Sequence, residues 1–161
     1  MIKIKIIFLD IDGVLNTERY LRIQSRKCKG IIDSEMQFNF DPEATKNLCE
    51  IVDKTDSYIV VCSKWKNDKN SRLWVEFMNN MHSIKLGERI LDSTSNSYNN
   101  LISKEIEEWF NNNVEKEIDN FVIISDKWNM GKYTDNNYVR CWEYSGITDD
   151  VKSKVIDILC K

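Results

Sequence analysis

From Lys3 to Thr17 the chain reads K-I-K-I-I-F-L-D-I-D-G-V-L-N-T, an apolar run that drives into two carboxylates one residue apart and then a glycine. Such a run reads as a buried strand ending in a polar loop. Alternate side chains of a strand share a face, so Asp10 and Asp12 can project to the same side at the strand's carboxyl end, the edge where open α/β sheets bind ligands. Two like charges that close cost free energy unless a cation or a shared proton offsets them. Hard oxygen donors of this type suit Mg²⁺, which takes one or two carboxylates, several waters and substrate phosphate oxygens. A calcium loop beginning at Asp10 would need glycine and glutamate where the chain has Leu15 and Leu21. Two acids and a glycine that merely close a turn after a strand are the plain structural alternative.

At 161 residues the chain is long enough for one domain with a proper core and too short for two comfortable ones, so residues 1–161 are expected to form one domain. Hydrophobic content of 42% beside 30% charged residues fits a globular protein, and no segment has the apolar length needed to span a bilayer. The run Ile6 to Leu9 stops at Asp10 and lacks a small-residue cleavage site, so it is no signal peptide and a cytosolic location is expected. Five cysteines without a C-x-x-C pair argue for reduced thiols rather than a zinc or disulfide scaffold. The lone histidine, His82, removes most Ser-His and Cys-His mechanisms and reads as a surface or half-buried residue. A net charge of −3 argues against coating nucleic acid with the whole surface and leaves room for a local basic patch.

The motif I-F-L-D-I-D-G-V-L-N resembles the first motif of the haloacid dehalogenase (HAD) superfamily of aspartate-nucleophile phosphatases, D-x-D-G behind an apolar strand. The chain is most similar to the small HAD domains of Swiss Army Knife RNA-repair proteins. That resemblance implies a Rossmann-like three-layer α/β core with a mainly parallel sheet and a minimal cap. It also implies that Asp10 attacks phosphorus and carries an aspartyl-phosphate, while Asp12 acts as general acid and then base. Further along, S-Y-I-V-V-C-S-K-W-K resembles the second motif, S-S-W-R in related domains. Ser63 would there grip the phosphoryl group, with Lys66 where arginine would be. Gly13 and Lys64, beside these motifs, are expected to contact substrate, and Trp65 reads as packing. The third motif needs a cation near a helix start; Lys104 is the nearest, with Arg89 or Lys85 as substitutes, although a shift of two positions turns a helical side chain by over half a turn. F-V-I-I-S-D-K resembles the fourth motif, making Asp126 a Mg²⁺ ligand beside Asp10 and the Asp12 main-chain carbonyl. Ser125 replaces an acid common in relatives, and Asn129 or Asp135 would add an outer contact.

Residues 17–40 are expected to form a flap or small cap. Their cations, Arg22 and Arg26 among them, would lie near the phosphate and hold a polyanionic substrate such as a nucleic-acid end, with a solvated basic face as the alternative. Elsewhere the pattern predicts a helix capped by Asp41-Pro42, a buried strand over 57–62 and an amphipathic helix over 70–82. A short strand over 84–86, a polar loop over 90–96 and a helix over 101–111 follow. A strand over 121–124, a short strand over 138–142 and a terminal helix capped by Thr148 complete the chain. The reading is a Mg²⁺-dependent phosphomonoesterase acting on nucleic-acid ends or nucleotides, beside other repair domains or proteins. A catalytically silent HAD module that binds nucleic acid or protein, and a small-metabolite phosphatase, are the alternatives.

Overall fold

β1 (Ile4–Leu9) is the central strand of a five-stranded, wholly parallel sheet in the computed structural model, which describes residues 2–161. β2 (Tyr58–Val61) and β3 (Ile90–Ser93) lie on one side of it, and β4 (Ile118–Ser125) and β5 (Tyr138–Arg140) on the other. The order is β3-β2-β1-β4-β5. β1 pairs with β2 through Leu9 opposite Val61 and with β4 through Leu9 opposite Ile124, so three strands end level with one another.

Both faces of the sheet are covered, which is why the central strands read as continuous apolar runs. Ile7, Leu9, Ile59, Val61, Val122 and Ile124 enter one core with α2 (Pro42–Thr55), α3 (Arg72–Ser83) and α5 (Asp149–Leu159). The alternate residues Ile6, Phe8, Val60 and Ile123 meet Ile102, Ile106 and Trp109 of α4 (Ile102–Asn112) on the other face. Helix starts follow their capping residues: Asp41 accepts from Glu43 N–H, Ser71 from Trp74 N–H and Thr148 from Val151 N–H. The three-layer α/β architecture expected from the sequence is thus the one observed.

Two local expectations fail. Ile84-Lys85-Leu86 is no strand: it is the wind-down of α3, with Lys85 at φ +63° and Leu86 N–H donating to Met81 O at 2.8 Å. The third strand lies instead in the stretch read as a polar loop, because an edge strand needs no apolar face at Leu91 and Asp92, both exposed. Between β1 and α2, residues 17–40 form α1 (Glu18–Lys27), which buries none of its residues, and a single 3₁₀ turn.

Candidate active site

The sheet reverses its order between β1 and β4, and ligands of open α/β sheets bind in the crevice outside such a switch point. Asp10 follows β1 there and Asp126 follows β4. Asp10 N–H donates to Ile124 O at 2.9 Å, which fixes the nucleophile candidate to the neighbouring strand. Its buried carboxylate accepts from Ile11 N–H at 2.9 Å on one oxygen and from the Ser125 hydroxyl at 2.8 Å on the other. Burial lifts its pKa from 3.8 to about 6; those two hydrogen bonds pull it back, Asp126 pushes it up and Lys127 opposes that push. Ser125 therefore orients the carboxylate where a second acid would have repelled it.

Asp12 is half-exposed and held from three directions. Its Oδ1 accepts from Trp65 Nε1 at 3.1 Å and from Asn16 Nδ2 at 2.8 Å, while Oδ2 lies 3.4 Å from Lys64 Nζ. Trp65 does pack, against Phe38 and Phe40 with ring centroids 6.1 and 5.8 Å away, but its indole N–H also orients the acid. Gly13 sits at φ +73°, and a Cβ there would come within 2.6 Å of Asp126 Oδ2, so glycine lets the loop after β1 and the Asp126 carboxylate meet. Ser63 is buried and caps the short turn after β2 by accepting from Trp65 N–H at 3.2 Å, which leaves its hydroxyl proton for another acceptor.

The donor set was tested against a divalent cation. Among the described residues no group of three or more His, Cys, Asp or Glu side chains converges, and the Asp12 side chain is engaged elsewhere. The family resemblance assigns Asp12 a main-chain oxygen rather than its side chain. Asp126 is partly exposed, but its Oδ1 is buried without a hydrogen-bond partner, 3.6 Å from Lys127 Nζ, beside the buried Asp10 carboxylate. An orphaned carboxylate oxygen of this kind fits a hard cation.

Two lobes meet at Asp12. The smaller, about 270 Å³, is bordered by Asp10, Cys62, Lys64, Ile102 and Lys127. Burial, and then the Asp10 charge, holds the Cys62 thiol well above its usual pKa, which rules it out as a thiolate nucleophile. The larger, about 610 Å³, runs along residues 17–40 past Glu18, Asp33, Glu143 and Asp126, and no Lys or Arg borders it among the described residues.

Several expected residues fall elsewhere. Lys104 is exposed and paired with Glu107 at 3.3 Å, on the side of α4 away from buried Ile102, and is not brought to the cleft. Arg89 pairs with Asp56 at 2.7 Å, and Lys85 is exposed at the end of α3. The cations that border the smaller lobe are Lys64 and Lys127, the latter missed although it directly follows Asp126. Arg22 is bound to Glu18 and Arg26 is exposed in the last turn of α1. Residues 17–40 thus turn acids, not cations, toward the cleft. Lys66 is wholly buried, its Nζ 3.1 Å from Glu105 Oε2, and braces the loop after β2 against α4. Asn129 accepts from Gly131 N–H at 2.7 Å within its own turn, and Asp135 is exposed.

A parallel sheet with this order and an Asp-x-Asp-Gly loop facing an acid at its switch point defines the chain as a HAD-type α/β domain. Residues 6–151 match the family described as the HAD domain in Swiss Army Knife RNA repair proteins, and the chain belongs to that family. Among curated proteins and solved structures, none matches the chain. Family membership points to a phosphatase-type role in a nucleic-acid-related setting. No helix of the described residues is long and apolar enough to cross a membrane.

Proposed function

We propose that the chain, as one HAD unit over residues 1–161, hydrolyses phosphomonoesters with Asp10 as nucleophile, and that its substrates are phosphorylated nucleic-acid ends. The observation that carries this reading is the Asp10 carboxylate, buried, oriented by Ile11 N–H and Ser125, and facing Asp126 across the switch-point crevice. An Asp10 oxygen attacks phosphorus in line, and the bond to the leaving oxygen breaks as protonated Asp12 delivers its proton there. Asp12, held by Trp65 and Asn16, then takes a proton from water. The resulting hydroxide attacks the aspartyl-phosphate, which releases phosphate and restores Asp10. Ser63 donates its free proton to a phosphoryl oxygen, and Lys64 and Lys127 offset the phosphate charge from the small lobe. Asp10, Asp126 and the Asp12 carbonyl would hold Mg²⁺, which when bound supplies charge neutralisation to the nucleophile and the transferring oxygens.

The reading is tested with an aryl phosphate and Mg²⁺. Release of phosphate by the parent chain and its loss in Asp10→Asn are expected. Release that survives the substitution rejects Asp10 as the nucleophile.

A further inference from the structure

Two tryptophans stand in the open at the carboxyl edge of β4 and β5. Trp128 is 81% exposed and Trp142 61% exposed, although large aromatic side chains are among those a fold gains most by burying. Each belongs to a built arrangement. The Arg140 guanidinium lies 3.5 Å from the centre of the Trp128 ring, and Arg140 Nε donates to Asp126 O at 3.1 Å. That ties the stacked pair to the strand end that carries the fourth-motif acid. Trp142 lies 5.1 Å from Tyr144 at an interplanar angle of 35°, with the Arg22 guanidinium 6.0 Å from the Tyr144 ring.

The second group is pinned to the start of α1 and to the loop after β1. Glu18 N–H donates to Glu143 O at 3.1 Å and Arg19 N–H to Tyr144 O at 3.0 Å. Gly146 approaches Val14 so closely that a Cβ would sit 2.3 Å from Val14 O. Both aromatic groups are thus tied to segments that carry site residues, Trp128 through Arg140 to Asp126 and Trp142 through its own loop to Val14.

Charge decides what covers them. A polyanion that ran beneath the flap would meet Glu18, Asp33 and Glu143 with no bordering cation. Over the edge of β4 and β5 it still passes Glu143 beside Trp142, but there it also meets Lys127 and Arg140, the cations the other path lacks. Aromatic faces backed by arginine and lysine are the means by which unpaired bases are held without regard to sequence. We infer that Trp128 and Trp142 form a stacking platform for the unpaired nucleotides next to the terminal phosphate, so that the substrate is a single-stranded nucleic-acid end rather than a duplex end. This deepens the phosphatase reading and rests on it for the position of the phosphate.

The test separates binding from turnover. In the Asp10→Asn background, fluorescence anisotropy measures the affinity of the full chain for short single-stranded RNA with a terminal phosphate. The same end within a duplex is measured beside it. Trp128→Ala and Trp142→Ala are each expected to weaken single-strand binding about tenfold, with Trp128→Phe restoring most of it, and the duplex is expected to bind at least tenfold more weakly. Equal affinities of parent and alanine variants, equal affinities for single strand and duplex, or no single-strand binding at all overturns the platform. Tryptophan-dependent binding in a chain that hydrolyses no aryl phosphate sustains the platform and defeats the phosphatase reading. Aryl phosphate turnover with tryptophan-independent binding does the reverse.

Discussion

The indole N–H of Trp65 donates to Asp12 Oδ1 across 3.1 Å, joining residues 53 apart and linking the loop after β2 to the proposed general acid after β1. Trp65→Phe keeps a ring against Phe38 and Phe40 and removes only this bond. Its stability cost is expected at about 1 kcal/mol, readable as a small shift in a urea melt. Its effect on kcat is expected at about tenfold for an alkyl phosphate. With an activated aryl phosphate, whose leaving oxygen needs less protonation, the defect should shrink. A loss equal for both leaving groups would mean that Trp65 only packs.

Asp10 makes the site costly to the fold. Its folded pKa near 6 stands above the ordinary 3.8, so between those values the native chain retains a proton that the unfolded chain has released. Stability from this group is therefore intact below about pH 4, falls as pH rises through 6, and stays reduced above it. In the absence of divalent metal, Asp10→Asn should remove that slope and stabilise the chain at pH 7 by about 2–3 kcal/mol. Thermal melts at pH 4, 5, 6 and 7 in chelator check it. Melts that run parallel for parent and variant would show that the penalty is absent. Adding Mg²⁺ should raise the melting temperature of the parent more than that of Asp10→Asn or Asp126→Asn, a readout independent of turnover.

Lys66 and Glu105 form an ion pair with no solvent exposure at either side chain, and Glu105 Oε2 also accepts from Thr94 at 3.1 Å. Removing one partner strands a buried charge, so Lys66→Met is expected to cost about 3–5 kcal/mol. Lys66→Met combined with Glu105→Leu should regain most of it, since a well-packed apolar pair avoids the desolvation of both ions. Denaturant unfolding of the two single variants and the double variant measures the coupling. Additive losses would remove the pair from the list of what holds α4 to the sheet.

The central strands and the Asp-x-Asp-Gly loop were legible because a strand buried on both faces reads as an unbroken apolar run that stops at the first charge, as at Leu9 and Asp10. β3 was not, because an edge strand with Leu91 and Asp92 exposed carries no such signal. The role of Trp65 depends on a neighbour 53 positions away, which no local pattern encodes. In residues 17–40 two cations are taken up by pairing, Arg22 with Glu18 and Arg19 with Asp41 and Glu43, and it is Glu18 and Asp33 that border the cleft. Counting cations in the segment could not reveal it.

Which cation borders the smaller lobe is where helix phase overrules sequence proximity. Ile102 and Ile106 of α4 are buried, and Lys104, two residues from each, faces outward to Glu107. Lys127 borders the small lobe beside Asp10, opposes the rise in the pKa of Asp10, and lies 3.6 Å from Asp126 Oδ1. Lys104→Ala is therefore expected to leave kcat/KM for an aryl phosphate unchanged. Lys127→Ala should lower it about 10²-fold by removing charge stabilisation that grows as phosphorus is transferred. Lys127→Arg should restore part of the loss, because charge rather than shape is what the position supplies. The reverse pattern, with Lys104→Ala crippled and Lys127→Ala active, would mean that α4 rotates or shifts on substrate binding to present a different face to the cleft.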